Sequence, residues 1–274
     1  MSTARAELDV SYISRRRLRG QEVVHYPDSD GKPMAENDPQ YRCITHTRFA
    51  LEQYYRDDPQ VYVGADLLMY YEEGDSTKSV APDVLVALGV PRGNRRTYLI
   101  WEEGKSPDVV FKFASDGTWR ADLGWKFGLY QGLGVKEYFL FDPLAEHFDP
   151  PLQGYRLVGR GYEPVSASSS EHGILGLVSD VLGLELWMQP DGGEGMPYVL
   201  RLYDPATDAW LPTPEEEAEG RRKAEARVKQ EAEGRRKAEA RVEREAKARQ
   251  EAEARMAELE AELERLRSRL SRDE

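Results

Sequence analysis

The sequence is poor in the residues that staple or chelate. It has one cysteine, Cys43, and four histidines, His25, His46, His147 and His172, in 274 residues. A lone cysteine excludes an internal disulfide framework, and no short Cys/His spacing forms a zinc-finger pattern. No apolar run approaches the roughly 18 residues that a bilayer-spanning helix needs. The first 20 residues carry Arg15, Arg16, Arg17 and Arg19, but no apolar stretch follows them, so they do not read as a signal peptide. The expectation is a soluble, cytoplasmic protein with no membrane segment. A basic surface is also lacking. The formal charge is −12, which argues against tight non-specific nucleic-acid binding.

What is present divides sharply. Residues 215–274 hold 18 acidic and 17 basic residues and no Trp, Tyr, Phe or Cys. Every aromatic side chain therefore lies before them, in a body of ordinary domain size with a net charge of −11. Three regions are expected: a weakly ordered segment over 1–36, a folded domain over 37–213, and a charged helical tail over 214–274.

Within the body, Asn37 or Asp38 can cap a helix with Pro39 in its first turn, running to about Arg56. Short apolar runs then read as strands: Val61–Val63, Leu67–Tyr71, Val84–Leu88, Thr97–Trp101 and Val109–Phe113. A helix fits about Thr118 to Gly132, with Leu123, Phe127 and Tyr130 toward a core and Gly124, Gly128 and Gly132 on one side against a sheet. Glu137–Phe141 follows as another strand. Helix, strands, helix, strand is the order of an α/β fold with a mixed sheet and a helical crossover.

The tail repeats. EAEGRRKAEARV at Glu217–Val228 recurs unchanged at Glu231–Val242, an offset of 14, or two heptads. Upstream, Arg221, Arg235 and Arg249 interrupt the apolar seam. Downstream, Met256, Leu259, Leu263, Leu266 and Leu270 make a dense one. Two readings fit: a coiled coil through residues 215–274 giving a homo-oligomer, or a solitary solvated helix held by i,i+4 ion pairs.

Acidic residues and lysines gather near the strands. Pro82-Asp83 leads into one buried strand and Pro107-Asp108 into another, Lys112 sits mid-strand, and Asp122 and Lys126 share a helix face. Carboxylates and a lysine at the end of a buried strand are what Mg²⁺-assisted phosphodiester hydrolysis requires: hard oxygen ligands, a metal-polarised phosphate and an acidified water. By spacing alone, the same residues also fit turn chemistry and an ordinary helix ion pair. The glycine-bearing segment Gly89–Asn94 lacks the P-loop lysine pattern, and no nucleophile elbow surrounds Ser166–Ser170.

Several separated motifs occur in order: Ala-Pro-Asp-Val around Asp83, Val-Val-Phe-Lys-Phe-Ala-Ser over 109–115, Asp122, Lys126 and Tyr130, and Gly-Val-Lys-Glu-Tyr-Phe-Leu-Phe-Asp-Pro over 134–143. With Tyr26–Met34, Trp101–Gly104, Leu200–Pro205 and Leu211–Glu215 they resemble a bacterial family of restriction endonucleases in the PD-(D/E)XK nuclease superfamily. The resemblance implies a restriction-endonuclease-like mixed sheet flanked by helices, followed here by the long C-terminal helix. It also implies Mg²⁺ as cofactor and DNA as partner. Asp83 would match a metal ligand and Lys126 the catalytic lysine contributed by the helix. Lys112 stands where the family carries its second acidic ligand.

That departure exchanges an anion for a cation, a change of about two charge units that repels Mg²⁺ from a partly buried site. The expected outcome is an ion pair between Lys112 and Asp83 and an impaired endonuclease. The alternative is a catalytically inactive nuclease-like module that assembles through its helix. Glu102, Glu103 or Asp108 are the carboxylates that would have to compensate. Asp108 is four residues from Lys112, roughly 13 Å along a strand.

Overall fold

The computed structural model describes residues 24–29, 37–191, 193 and 195–270, with side chains to residue 265. Apart from residues 24–29, the segment expected to be weakly ordered lies outside the described residues, as do Arg15–Arg19. The chain divides into two compact units, Met1–Thr213 and Pro214–Glu274.

Helix α1 (Asp38–Tyr54) starts where its cap predicts: the Asn37 side chain accepts the Gln40 N–H at 2.8 Å, with Pro39 in the first turn. There follow β1 (Val61–Ala65), β2 (Met69–Tyr70), β3 (Ser79–Val80), β4 (Val84–Leu88), β5 (Tyr98–Leu99), α2 (Ile100–Glu103), β6 (Val109–Phe113), α3 (Trp119–Leu123), α4 (Trp125–Gly132) and β7 (Glu137–Phe141). Then come β8 (Leu152–Val158), β9 (Gly161–Pro164), β10 (Ser168–Ser170), β11 (Gly173–Ser179), β12 (Leu184–Pro190), β13 (Tyr198–Asp204), β14 (Ala209–Trp210) and α5 (Pro214–Leu270).

The main sheet has the order β1-β4-β6-β7-β8-β9. Only β6 and β7 run parallel, and α3 and α4 make the crossover between them. This is the mixed α/β architecture that the element order implies. Strands β6 and β7 are buried on both faces, which is why they read as near-continuous apolar runs. Alternation sorts their side chains. Val84, Val86, Phe111, Phe113 and Phe139 join a core with α1 and with the five-stranded sheet β10–β14. Leu85, Val110, Tyr138 and Leu140 face the other way, toward Tyr130 of α4. Asp83 and Lys112 fall in phase with this second set.

Two local expectations are corrected. The helix expected over Thr118–Gly132 is two helices broken at Gly124, whose φ of −104° and ψ of −110° leave the helical region. A Cβ at Gly124 would lie 2.9 Å from the Arg120 carbonyl oxygen, while at Gly128 and Gly132 it would meet nothing within 4 Å. These glycines do not pack on the sheet, and Leu123 is exposed. The run Thr97–Trp101 gives only the two-residue β5 before turning helical, and Gly104 ends that turn in the left-handed region.

Helix α5 is exposed throughout residues 219–265. It carries i,i+4 ion pairs such as Lys223–Glu219 at 2.6 Å and Arg241–Glu245 at 2.7 Å. No helix among the described residues is long and apolar enough to cross a membrane.

Candidate functional site

Asp83 follows Pro82 and immediately precedes β4, whose first ladder pair is Val84 with Phe111, next to Lys112 in β6. Asp83 and Lys112 are 6% and 4% exposed. The Lys112 Nζ donates to Asp83 Oδ1 in a short ion pair and to the Ala81 carbonyl at 3.2 Å. Asp83 Oδ2 accepts the Phe113 N–H at 2.6 Å. Both carboxylate oxygens of Asp83 are therefore engaged.

A second pair comes from the crossover. Lys126 Nζ donates to Asp122 Oδ1 at 2.7 Å across the α3–α4 break, and Asp122 is fully buried. Asp122 Oδ2 and the Tyr130 hydroxyl are buried and make no hydrogen bond. Such orphans are rare in folded proteins.

The four charges act on one another. Burial pulls the Lys112 ammonium down, but the carboxylates of Asp83 and Asp122 more than offset this and hold it above its ordinary value. Burial pushes the Asp83 carboxyl up, so its ionised form depends on Lys112 and the Phe113 N–H. Lys126 lies below its ordinary value because of burial and the nearby Lys112 ammonium, against the pull of Asp122. The Tyr130 hydroxyl is driven well up, first by burial and then by Asp83 and Asp122.

This arrangement does not fit a divalent ion. Mg²⁺ takes six oxygen ligands in near-octahedral geometry, usually anchored by one or two carboxylates. Here two ammonium groups occupy the carboxylates, and Asp122 Oδ2 is the single oxygen of Asp83 and Asp122 without a partner. The suggested substitutes are committed elsewhere. Asp108 accepts from Lys105 at 2.5 Å, from Lys136 at 2.9 Å and from the Leu88 N–H at 2.8 Å. Burial would raise its carboxyl, yet these donors hold it below the usual range. Glu103 is paired with Arg95 at 2.5 Å, and Glu102 is exposed on α2.

Of the residues that the sequence singled out, the structure pairs Lys112 with Asp83 and Lys126 with Asp122. Asp122, Lys126 and Tyr130 were among the motifs that the sequence singled out, but their unpaired oxygens were not foreseen. Sequence reasoning also left unseen a surface group, Asp116, Glu146 and His147, whose ligand atoms lie within 4.8 Å of one another. His147 Nε2 and Asp116 Oδ1 are 2.9 Å apart, and the imidazole stacks on Trp119 at 5.4 Å. Exposed acidic groups of this kind are common without an ion. Cys43 is buried, and its thiol is pushed up to about 12 by burial, which removes it as a nucleophile.

The sequence that builds this site matches a family described in nuclease terms. The chain is a member of the Uma2 family, described as "Putative restriction endonuclease", whose model matches residues 15–189. Among solved structures it is similar to a protein from Anabaena variabilis ATCC 29413, described as "a putative nuclease belonging to DUF820". The identity is 16% and the TM-score 0.37, over 51% of this chain and 75% of that one. No curated protein matches the chain.

Proposed function

We propose that this protein is a nuclease-family member whose Mg²⁺-dependent cleavage of DNA is impaired, because Lys112 supplies the positive charge that a metal ion would bring. The observation that carries this reading is the buried Lys112–Asp83 ion pair. DNA as the ligand and Mg²⁺ as the implied cofactor come from the family, with Asp83 as the metal-ligand position and Lys126 as the catalytic lysine. Displacing a tethered ammonium from a buried carboxylate would leave both charges desolvated and unpaired, a cost of several kcal/mol that metal binding would first have to meet.

Supercoiled plasmid incubated with Mg²⁺ or Mn²⁺ is expected to survive the wild-type protein, whereas Lys112→Glu nicks it. Efficient cleavage by wild type that disappears in Asp83→Ala overturns the proposal.

A second reading, an assembly module that self-associates through α5, is favoured by one observation. Val228, Val242, Met256, Leu259 and Leu263 are all more than half exposed on that helix. Large apolar side chains exposed along one stripe mark an interaction surface.

A further inference from the structure

We infer that the free edge of β1 is a docking groove for an extended acidic peptide of another protein, which adds to the main sheet as a further strand. The groove is separate from the Lys112–Asp83 pair, and its use does not depend on whether the protein cleaves DNA.

Strand β1 ends the main sheet, and among the described residues it pairs with β4 alone. The ladder fixes which backbone groups are left over. The Gly89 N–H donates to the Gln60 carbonyl at 2.7 Å, and the Asp66 N–H to the Asp83 carbonyl at 3.1 Å. Facing residues in an antiparallel ladder alternate between bonded and non-bonded pairs. Tyr62 and Gly64 therefore bond to β4, while the N–H and C=O groups of Val61, Val63 and Ala65 point away from it. Among the described residues, no hydrogen bond reaches those outward groups. All three residues line a cavity of about 790 Å³, a size typical of ligand clefts. Helix α1 contributes Arg48, Glu52 and Arg56 to its lining, and the segment after β4 contributes Arg92, Asn94 and Arg95. Val61 and Val63 are only 4% and 7% exposed, so the edge lies at the bottom of the groove. Backbone groups withdrawn from bulk water need partners. An extended peptide supplies them: its main chain gives affinity and its alternate side chains give specificity.

Charge selects the occupant. Four arginines and one carboxylate line this groove, in a chain whose formal charge is −12. Arg92 donates to the carbonyls of Tyr55, Arg56 and Asp58, which carry no countercharge. Arg48 and Arg56 hold the exposed partners Glu52 at 2.9 Å and Asp57 at 3.5 Å, pairs of a kind that contribute little. Arg95 is committed, paired with Glu103 and lying over the Tyr62 ring at 3.9 Å. Side chains of an added strand alternate as those of β1 do. Those level with Val61 and Val63 fall on the α1 face, where Arg48 and Arg56 favour carboxylates. Those level with Tyr62 fall on the opposite face, beside Leu67, and suit apolar groups. A nucleic-acid backbone would offer acceptors to the arginines but no donors to the edge carbonyls. A second copy of β1 would set Arg48 and Arg56 against their own equivalents. The arm Arg15, Arg16, Arg17 and Arg19 has the wrong sign. A peptide with carboxylates at alternate positions matches both the backbone pattern and the charge.

Fluorescence anisotropy of the full chain tests this, with a fluorescein-labelled peptide of about seven residues in which glutamate and valine alternate. Saturable binding is expected, and the same peptide with lysine for glutamate should bind at least about tenfold more weakly. Arg48→Glu combined with Arg56→Glu should reverse that preference. An added strand turns every second N–H toward β1. Methylating the peptide nitrogens at one alternate set should therefore abolish binding, and methylating the other set should leave it. That comparison leaves the protein unaltered. No saturation up to about 1 mM peptide, or equal loss from both methylation patterns, overturns the proposal. A single-stranded DNA oligonucleotide that binds where the peptide does not, and that the double arginine variant releases, also overturns it, since the groove then takes phosphate. A dimer in light scattering that Val63→Pro converts to a folded monomer overturns it too, since the occupant is then a second copy. Proline at that position removes only the outward N–H.

Discussion

Replacing Lys112 by methionine keeps most of its length and removes its charge. Asp83 is then left 6% exposed, with the Phe113 N–H at 2.6 Å as its remaining donor. Breaking a buried ion pair from one side costs about 3–5 kcal/mol at neutral pH. For a unit of this size that is roughly 6–20 °C in melting temperature. The loss carries a pH signature. Without Lys112, burial raises the Asp83 carboxyl far above its unfolded value of about 3.9. Between those two values the native state binds more protons than the unfolded state, so the variant loses stability as pH rises. The slope relative to wild type approaches 1.4 kcal/mol per pH unit. The variant should therefore lie close to wild type near pH 5 and fall away toward pH 8. Adding Asp83→Asn removes the uncompensated charge, and the double variant should exceed Lys112→Met in stability at pH 8. Urea unfolding of the three proteins across pH measures all of this. A loss under about 1 kcal/mol, or one that is flat with pH, refutes the claim that this pair is buried and coupled.

Three further outcomes follow from the same geometry. Tyr130→Phe removes a buried hydroxyl with no partner, so denaturation should find it as stable as wild type or up to about 1 kcal/mol more stable. A comparable loss would mean that the hydroxyl is satisfied. Asp108→Asn discards a carboxylate held below its usual range by Lys105, Lys136 and the Leu88 N–H. The contribution of a depressed carboxyl exists above its unfolded value and vanishes as pH falls through the folded one. The variant should therefore lose about 1–3 kcal/mol at pH 7 and converge with wild type in acid. In thermal scans, Mg²⁺ should leave the wild-type midpoint unchanged and raise that of Lys112→Glu. Saturating a new site a hundredfold above its dissociation constant adds about 2.7 kcal/mol.

Much of the fold is visible in the chain because burial on both faces writes β4, β6 and β7 as near-continuous apolar runs. The Asn37 cap likewise announces α1. The break at Gly124 was hidden, since the glycine spacing also suits a continuous helix lying on a sheet, and only the approach to the Arg120 carbonyl distinguishes the two. At the site, Lys112 stands out as the single charge in an apolar strand, and Asp83 as the residue before one. The Asp116, Glu146 and His147 group joins positions 31 residues apart, and the orphaned Asp122 oxygen depends on where Lys126 points. Neither leaves a local trace.

The Nζ beside Asp83 differs from a dissolved ion in one thermodynamic respect: it is covalently attached. Its occupancy has no concentration term, so neither a chelator nor a change in cellular metal supply can empty the position. A fold that carries its counter-ion on a side chain is complete as soon as the polypeptide is.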